Sequence, residues 1–363
     1  MGKVIHIIED LGIGGAEKMV QHMALCLASA GRDTEVWCLK AGGPVYDALS
    51  AAGIKTRITG LPAGAVILAV PGLAKSLSHA KPEIVHCHGF AASVLGRLAT
   101  AAAGNIPKVF AHAHSLPEKL NSLRLARERF LIQKTTAFVC CSRAVSEETG
   151  RLWNIPENKR RVLYNAAADF APPDRLVARE ALGIGAGSFV ILCAASLREQ
   201  KGHATLLDAA ALIKKRGADF TLLLAGDGPL RADLERAAIK AGLAGEIRFE
   251  GCVKNMQPYY AACDVCVLPS VREGFGLTLA EAMAARRPVV GSTAGGIPEV
   301  IENKTNGLLF ETGSAEALSA ALLSLKEQPA LRDAMGEAGR AIYEKRFSTG
   351  ALKRALLELY GWE

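Results

Sequence analysis

The sequence predicts an α/β protein built from two doubly wound, Rossmann-like parallel-sheet domains, and three observations carry that prediction. Short β-branched runs alternate with alanine- and leucine-rich helical segments from one end to the other. Nearly continuous apolar strands between amphipathic helices mean parallel sheets covered on both faces. The chain has 363 residues, and at roughly 150 residues per domain that length favours two domains. Between the two sets of strands, residues 166–187 mix small residues with two prolines and three glycines, which is linker composition. The expected divisions are 1–168 for an N-terminal domain, 169–187 for the linker, 188–347 for a C-terminal domain and 348–363 for a final helix.

Taken in order, Val4–Ile8, Glu35–Leu39, Ile84–Cys87, Val109–Ala111 and Ala137–Cys141 read as the strands of the first half. Phe189–Ala194, Thr221–Ala225, Arg248–Glu250, Val265–Leu268 and Val289–Gly291 read as those of the second. Ala351–Tyr360 is the last strong helix signal, and its docking partner is open at this point. Two domains of this kind are expected to face each other across a cleft, a favoured place for ligands.

Composition narrows the class. Half of the residues are apolar and 22% are charged, ordinary for a globular protein. The net charge of +7 comes from 43 Lys and Arg against 36 Asp and Glu. That mild excess suits an anionic ligand or an acidic membrane surface better than sequence-specific reading of nucleic acid, and the chain has no Lys/Arg tract of that type. The nine cysteines are odd in number and sit mostly in apolar runs, as buried reduced thiols do. Cys263 and Cys266 form a CxxC pair, without the second pair or nearby histidine that zinc would need. The first residues lead straight into a strand without an apolar leader region, and the apolar stretch Ala65–Leu73, broken by Pro71, is too short to span a bilayer. A cytoplasmic protein, soluble or peripheral at the inner face of the membrane, is expected.

Four constellations could carry chemistry. The first, Leu11-Gly12-Ile13-Gly14-Gly15-Ala16-Glu17, follows the first strand and opens a helix, where backbone N–H groups and the helix N-terminus favour a phosphate. It departs from the dinucleotide fingerprint, because Glu17 occupies the third glycine position and Lys40-Ala41-Gly42-Gly43 stands where an acidic residue should follow the second strand. A plain tight turn is the other reading. The second is the pair His86-Cys87-His88 and His112-Ala113-His114 at strand carboxyl ends. Spacing of two puts both members on one strand face, where they could position a substrate hydroxyl, shuttle a proton, bind zinc or be held by core hydrogen bonds. The third is Ser196-Leu197-Arg198-Glu199-Gln200-Lys201-Gly202-His203, whose Arg198 and Lys201 could meet a diphosphate or simply be solvated. The fourth runs from Pro269 to Met283. Its Glu273 lies in a glycine-flanked loop and its Glu281 in the second turn of the helix that starts near Leu277. Carboxylates there could accept from paired sugar hydroxyls, with a phosphate at the helix N-terminus.

In this order, Gly-Gly-Ala-Glu, His-Cys-His-Gly, Leu-Arg-Glu-Gln-Lys-Gly-His, Ala-Gly-Asp-Gly-Pro-Leu and Pro-Ser-x-x-Glu-Gly-Phe-Gly-Leu with Glu-Ala-Met, the chain resembles the family-4 glycosyltransferases over essentially its whole length. The resemblance implies the GT-B architecture, with the donor held mainly by the C-terminal domain and the final helix crossing back to the N-terminal one. It implies that Glu281 holds the nucleotide ribose and Glu273 contacts the donor sugar, with the backbone amides of Phe275, Gly276 and Leu277 facing the distal phosphate and sugar. Lys201 matches the diphosphate-binding lysine, Gly14 and Gly15 the loop that closes over the phosphates, and His114 the active-site histidine. Ser196 stands where the family often has arginine, so Arg198 is the substitute cation. Asn165 fits the interdomain asparagine, followed by Ala166 in place of the usual glycine.

The activity implied is retaining transfer from a nucleotide-diphospho-sugar to a glycan or glycolipid acceptor in bacterial polysaccharide or lipopolysaccharide assembly, with no cofactor and no metal. UDP is expected because uridine donors are the commonest in this family. The chain contains no Asp-x-Asp, the carboxylate pair that usually holds a divalent ion against a diphosphate. The rivals are a nucleotide-sugar epimerase and a non-catalytic nucleotide-sugar-binding module. A basic amphipathic segment, Lys119–Lys134, carries Arg124, Arg127 and Arg129 among Leu120, Leu123, Leu125, Phe130, Leu131 and Ile132, as a helix lying on an anionic membrane would.

Overall fold

A computed structural model describes residues 2–60 and 68–362. The chain divides into two compact units, Met1–Ala166 with Thr349–Glu363, and Ala167–Ser348.

The first unit runs β1 (Val4–Ile8), α1 (Gly15–Ser29), β2 (Thr34–Cys38), α2 (Pro44–Ala51), β3 (Lys55–Ile58), α3 (Val70–Ala80), β4 (Ile84–His88), α4 (Phe90–Ala103), β5 (Lys108–Ala113), α5 (Ser122–Gln133), β6 (Ala137–Cys140), α6 (Arg143–Trp153) and β7 (Arg160–Val162). Its seven strands form one sheet in the order β3-β2-β1-β4-β5-β6-β7, parallel throughout. The central strands β1 and β4 are buried along their whole length, which is why they read as unbroken apolar runs interrupted only by histidine. The second unit runs α7 (Arg175–Ala181), β8 (Val190–Ala194), α8 (His203–Lys215), β9 (Thr221–Ala225), α9 (Arg231–Lys240), β10 (Ile247–Gly251), α10 (Gln257–Ala262), β11 (Val265–Leu268), α11 (Leu277–Ala284), β12 (Val289–Ser292), α12 (Ile297–Val300), β13 (Gly307–Phe310), α13 (Ala315–Glu327) and α14 (Pro329–Ile342). Its parallel six-stranded sheet has the order β10-β9-β8-β11-β12-β13. The last helix, α15 (Thr349–Tyr360), returns to the first unit. Its Leu352, Leu356 and Tyr360 share a core with Met19, Met23 and Leu27 of α1.

Several expectations change. The boundary falls between Ala166 and Ala167, and the return between Ser348 and Thr349, each a residue or two from the expected divisions. The predicted linker 169–187 lies wholly within the second unit. Asp174 caps α7 by accepting from the Leu176 and Val177 N–H groups. Arg179 of α7 then reaches the buried Asp264 carboxylate at 2.7 Å and the Ala262 carbonyl at 3.0 Å. Such a long-range ion pair leaves no mark on local composition. Strands β3, β7 and β13 were absent from the predicted set. The first two are edge strands carrying Lys55, Arg57, Arg160 and Arg161, whose polarity hides them among loops. In the Ala65–Leu73 stretch, 65–67 lie outside the described residues, and Pro71 opens α3 rather than breaking a segment. Among the described residues no helix is long and apolar enough to cross a membrane.

Candidate active site

In an open parallel sheet, ligands meet the carboxyl ends of the strands where the strand order reverses, because the loops from the two neighbouring strands part there. In the second unit that point lies between β8 and β11, and the third and fourth constellations are the loops that follow them. The loops are tied together. The Val271 N–H donates to the Gln200 carbonyl at 2.9 Å. Gly202, at φ +69°, has its Cβ position 2.0 Å from the Pro269 carbonyl oxygen, so any side chain there would push the loops apart. Across this junction the Lys201 ammonium donates to Glu273 Oε2 at 2.6 Å, with both side chains more than four-fifths buried. Ser270 Oγ donates to the same oxygen at 3.2 Å, and the Gly274 N–H donates to the other at 3.1 Å. The structure thus brings Lys201 and Glu273 together and fixes the carboxylate by three donors.

Gly276, at φ +95°, caps α11 with a left-handed turn that favours glycine. The helix opens at Leu277, where first-turn N–H groups have no intrahelical acceptor. Phe275 is buried and meets Phe347 edge-on at 5.4 Å. Glu281, one turn further along α11, accepts from the Tyr260 hydroxyl at 2.6 Å. Burial, reinforced by the Glu281 carboxylate, holds the Tyr260 phenol well above its ordinary range, so this tyrosine is a fixed donor. Arg198 and Ser196 stand exposed at the outer edge of the loop after β8.

In the first unit, Gly14 and Gly15 form the turn from β1 into α1, without a side-chain cap. Burial, with a smaller push from Asp10, raises the Glu17 carboxyl above its usual range. Asn165 is buried. His114 follows β5 and lines a cavity of about 300 Å³ together with Ser93, Arg97, Phe90, Phe138 and Trp153. At its base Arg97 donates to Glu128 Oε2 at 2.7 Å, a pair that is almost wholly buried. Both histidine pairs share one strand face as the spacing predicts: His86 stacks on His88 with ring centres 4.5 Å apart, and His112 on His114 at 4.0 Å. A fifth ring, His6 of β1, joins them. Burial drives all five below the usual histidine range, His6 and His114 to about 3.

Two overlapping triads, His6/His86/His88 and His88/His112/His114, bring one nitrogen each within 4.8 Å of one another. Neither contains a carboxylate or thiolate to offset a divalent charge in the sheet interior. Cys263 and Cys266 are buried free thiols, and burial raises both above the ordinary thiol range. Sequence reasoning missed Tyr260, Ser270, His6 and the Arg97–Glu128 pair. Tyr260, His6 and Arg97 act on residues distant in the chain, which no local spacing signals, whereas Ser270 sits three residues from the Glu273 it holds.

Two family models match. Residues 13–167 match Glycosyltransferase Family 4 and residues 174–342 match Glycosyl transferases group 1. Among relatives, the chain is 27% identical to the putative glycosyltransferase EpsD of Bacillus subtilis, over 77% of this chain and 76% of that one. It is 33% identical to the lipopolysaccharide core biosynthesis glycosyltransferase LpsD of Rhizobium meliloti, over 52% and 53%. Among solved structures, the Anabaena protein Alr3699/HepE in complex with UDP and glucose superposes with a TM-score of 0.85 at 22% identity, covering 99% of this chain and 100% of that one. A glycosyltransferase from Rickettsia africae gives 0.86 at 20% identity, covering 99% and 98%. The segments that carry Lys201, Glu273 and Glu281 lie within the second matched region, Gly14, Gly15 and His114 within the first, and the chain belongs to the family-4 glycosyltransferases of GT-B fold.

Proposed function

We propose that this glycosyltransferase moves a sugar from a nucleotide-diphospho-sugar to a glycan or glycolipid acceptor in cell-surface polysaccharide or lipopolysaccharide assembly, with retention of configuration and without a metal. The observation that carries the reading is the Lys201–Glu273 pair at the β8/β11 reversal. It puts a cation for the diphosphate beside an acceptor for sugar hydroxyls. Lys201, Arg198 and the backbone amides of Phe275, Gly276 and Leu277, leading into α11, meet the charge that develops on the leaving diphosphate, a preorganised electrostatic role. Glu281, held by Tyr260, takes the ribose hydroxyls. UDP is the proposed nucleotide, supported by the HepE complex with UDP and glucose.

In the reaction the bond between the anomeric carbon and the diphosphate oxygen breaks. The acceptor oxygen attacks from the same face, and its proton passes to the departing phosphate. His114 positions the reacting centre, and Gly14 and Gly15 approach the phosphates through backbone. The acceptor side is assigned to the first unit, where the His114 cavity combines aromatic walls with polar groups. The exposed face of α5 supports peripheral attachment to an anionic membrane. Leu123 (81% exposed) and Phe130 (53%) stand out with Arg124 and Arg129, whereas Leu131 and Ile132 belong to the core.

A thermal-shift screen against UDP-, GDP- and ADP-sugars tests the donor, followed by transfer assays with and without EDTA. Stabilisation by one class, transfer insensitive to EDTA and an α-configured product from an α-configured donor are expected. Inversion at the anomeric carbon would refute the mechanism. Flotation with liposomes containing anionic lipid tests the surface, and absence of binding removes it.

A further inference from the structure

The loop that carries Glu273 is tied to β12 as well as to the β8 side. β11 and β12 pair in parallel with Leu268 opposite Gly291, so Ser270 and Ser292 come together at the sheet edge although 22 residues separate them. The Ser292 hydroxyl donates to the Ser270 carbonyl at 2.5 Å, and both residues are fully buried. A carbonyl can only accept, so the Ser292 proton is committed to it. The Ser292 oxygen in turn accepts from the Ala294 N–H at 3.4 Å. One step further on, the Ser270 hydroxyl donates to Glu273 Oε2 at 3.2 Å. Beyond β12 the Gly296 N–H donates to the Glu273 carbonyl at 3.1 Å. Side chain and backbone of Glu273 are thus both referred to the end of β12.

The donors on Glu273 do different work. Lys201 is a point charge on a flexible four-carbon stem whose three N–H groups rotate, so it neutralises the carboxylate without fixing its plane. A serine hydroxyl is one carbon from the backbone, and its aim follows the position of its own peptide. That position is what Ser292 holds, in an interior where water does not replace a withdrawn donor. We propose that Ser292 is a positioning residue for the donor sugar: by holding the Ser270 carbonyl it aims the Ser270 hydroxyl, and through it fixes the plane of the Glu273 carboxylate. The role in turnover rests on the assignment of Glu273 to the donor sugar; the relay itself does not.

Ser292→Ala removes the donor and adds no bulk. In transfer assays with the nucleotide sugar selected by thermal shift, it should lower kcat about tenfold, roughly the worth of one hydrogen bond. Affinity for the matching nucleoside diphosphate (UDP for a uridine donor), read by isothermal titration, should stay within about twofold. A parallel loss of that affinity would mean that Ser292 shapes the whole nucleotide site, and overturns the proposal. Ser270→Ala should give a similar loss of kcat by itself. Added to it, Ser292→Ala should cost nothing more, because the link it acts through is already gone; a second full loss overturns the relay. Crystal structures of the wild type and of Ser292→Ala read the relay without turnover. The Ser270 hydroxyl is expected to leave Glu273 in the variant, and an unmoved Ser270–Glu273 bond overturns the proposal. A relay that behaves this way in a protein that transfers nothing from UDP-, GDP- or ADP-sugars would refute the glycosyltransfer reading and leave the relay standing.

Discussion

The two units have the same plan, a parallel sheet with one reversal of strand order, yet they store their polar chemistry in different places. In the second, the sheet centre is aliphatic and thiol, with Val190, Leu192, Cys193, Val265 and Cys266 all buried, and the candidate site side chains stand beyond the strands, on the loops and on α11. In the first, the chemistry lies inside the strands. His6, His86, His88 and His112 are within β1, β4 and β5, and His114 follows at once. Their buried ionic sites differ likewise. Asp264 of the second unit is met by Arg175, by Arg179 at 2.7 Å, by Arg332 at 3.6 Å and by the Val190 N–H at 2.7 Å. The Arg97–Glu128 pair of the first leaves Arg97 Nη1 and Glu128 Oε1 without partners among the described residues. Polar groups on loops can be satisfied by water, whereas those on central strands must be satisfied by each other, by a substrate or not at all. The first unit is therefore the one whose stability is tied to its chemistry.

Acid provides the widest separation between the units. The five strand histidines have folded-state values below their unfolded value, so above about pH 6.5 neither state binds their protons. As pH falls below that, the unfolded chain takes up protons that the folded unit refuses, and stability is lost progressively down to about pH 3, where His6 and His114 themselves charge. All five act in the same direction, so the first unit loses stability steadily as the pH falls from about 6.5 towards 5. The second unit has one comparable ring, His203, lowered to about 4 mainly by burial. Hydrogen exchange at pH 7.5 and pH 5 should show β1, β4 and β5 losing protection well before β8 and β11. Equal loss in both sheets would break the comparison.

The ionic contrast predicts the next largest effect. Arg97→Met strands the Glu128 carboxylate in the interior and should cost about 3–5 kcal/mol, while Arg97→Met with Glu128→Leu should regain most of it. Urea unfolding of the two variants measures both. A double variant no more stable than the single one would mean that the cavity wall, and not the charge, sets the penalty.

The residues themselves explain how much of this was legible. Apolar runs announced the central strands because both faces of those strands are covered. The β8 and β11 loops were legible because glycines, a lysine and two glutamates recur there at family spacing. His88 and His114 were visible as strand-end histidines, but the lone His6 reads like any buried strand residue, and only the pairing of β1 with β4 brings it to His88. Tyr260 was silent for the same reason, being 21 residues from the carboxylate it holds. What local pattern cannot carry is the partner supplied by another strand.

On the loop side, Lys201→Ala should lower kcat/KM about 100- to 1000-fold, the loss expected when one preorganised charge is removed from a transition state. It leaves Glu273 with Ser270 Oγ and the Gly274 N–H as donors, so the melting temperature should barely move. The same experiment on His114 sharpens the contrast, because His114→Ala removes a group from a packed strand end and should lower both rate and stability. A large stability loss for Lys201→Ala would show that the second unit, too, ties its fold to its site.

The smallest effect tests how far a site residue on α11 depends on its support from α10. Tyr260→Phe keeps the buried ring and deletes only the hydroxyl that donates to Glu281 at 2.6 Å. Glu281 is half-buried, so water can take the vacated place, and the fold should lose about 1 kcal/mol or less. The carboxylate loses its fixed direction, however, and the ribose it is proposed to hold should bind about tenfold more weakly, a change of about 1.4 kcal/mol. Because the ribose is remote from the breaking bond, the change should appear in the donor KM and leave kcat nearly untouched. Isothermal titration with the nucleotide diphosphate alone reads the same loss without any transfer. If kcat falls instead while nucleotide affinity holds, Tyr260 and Glu281 act on the reacting sugar, and the division of labour between Glu273 and Glu281 must be redrawn.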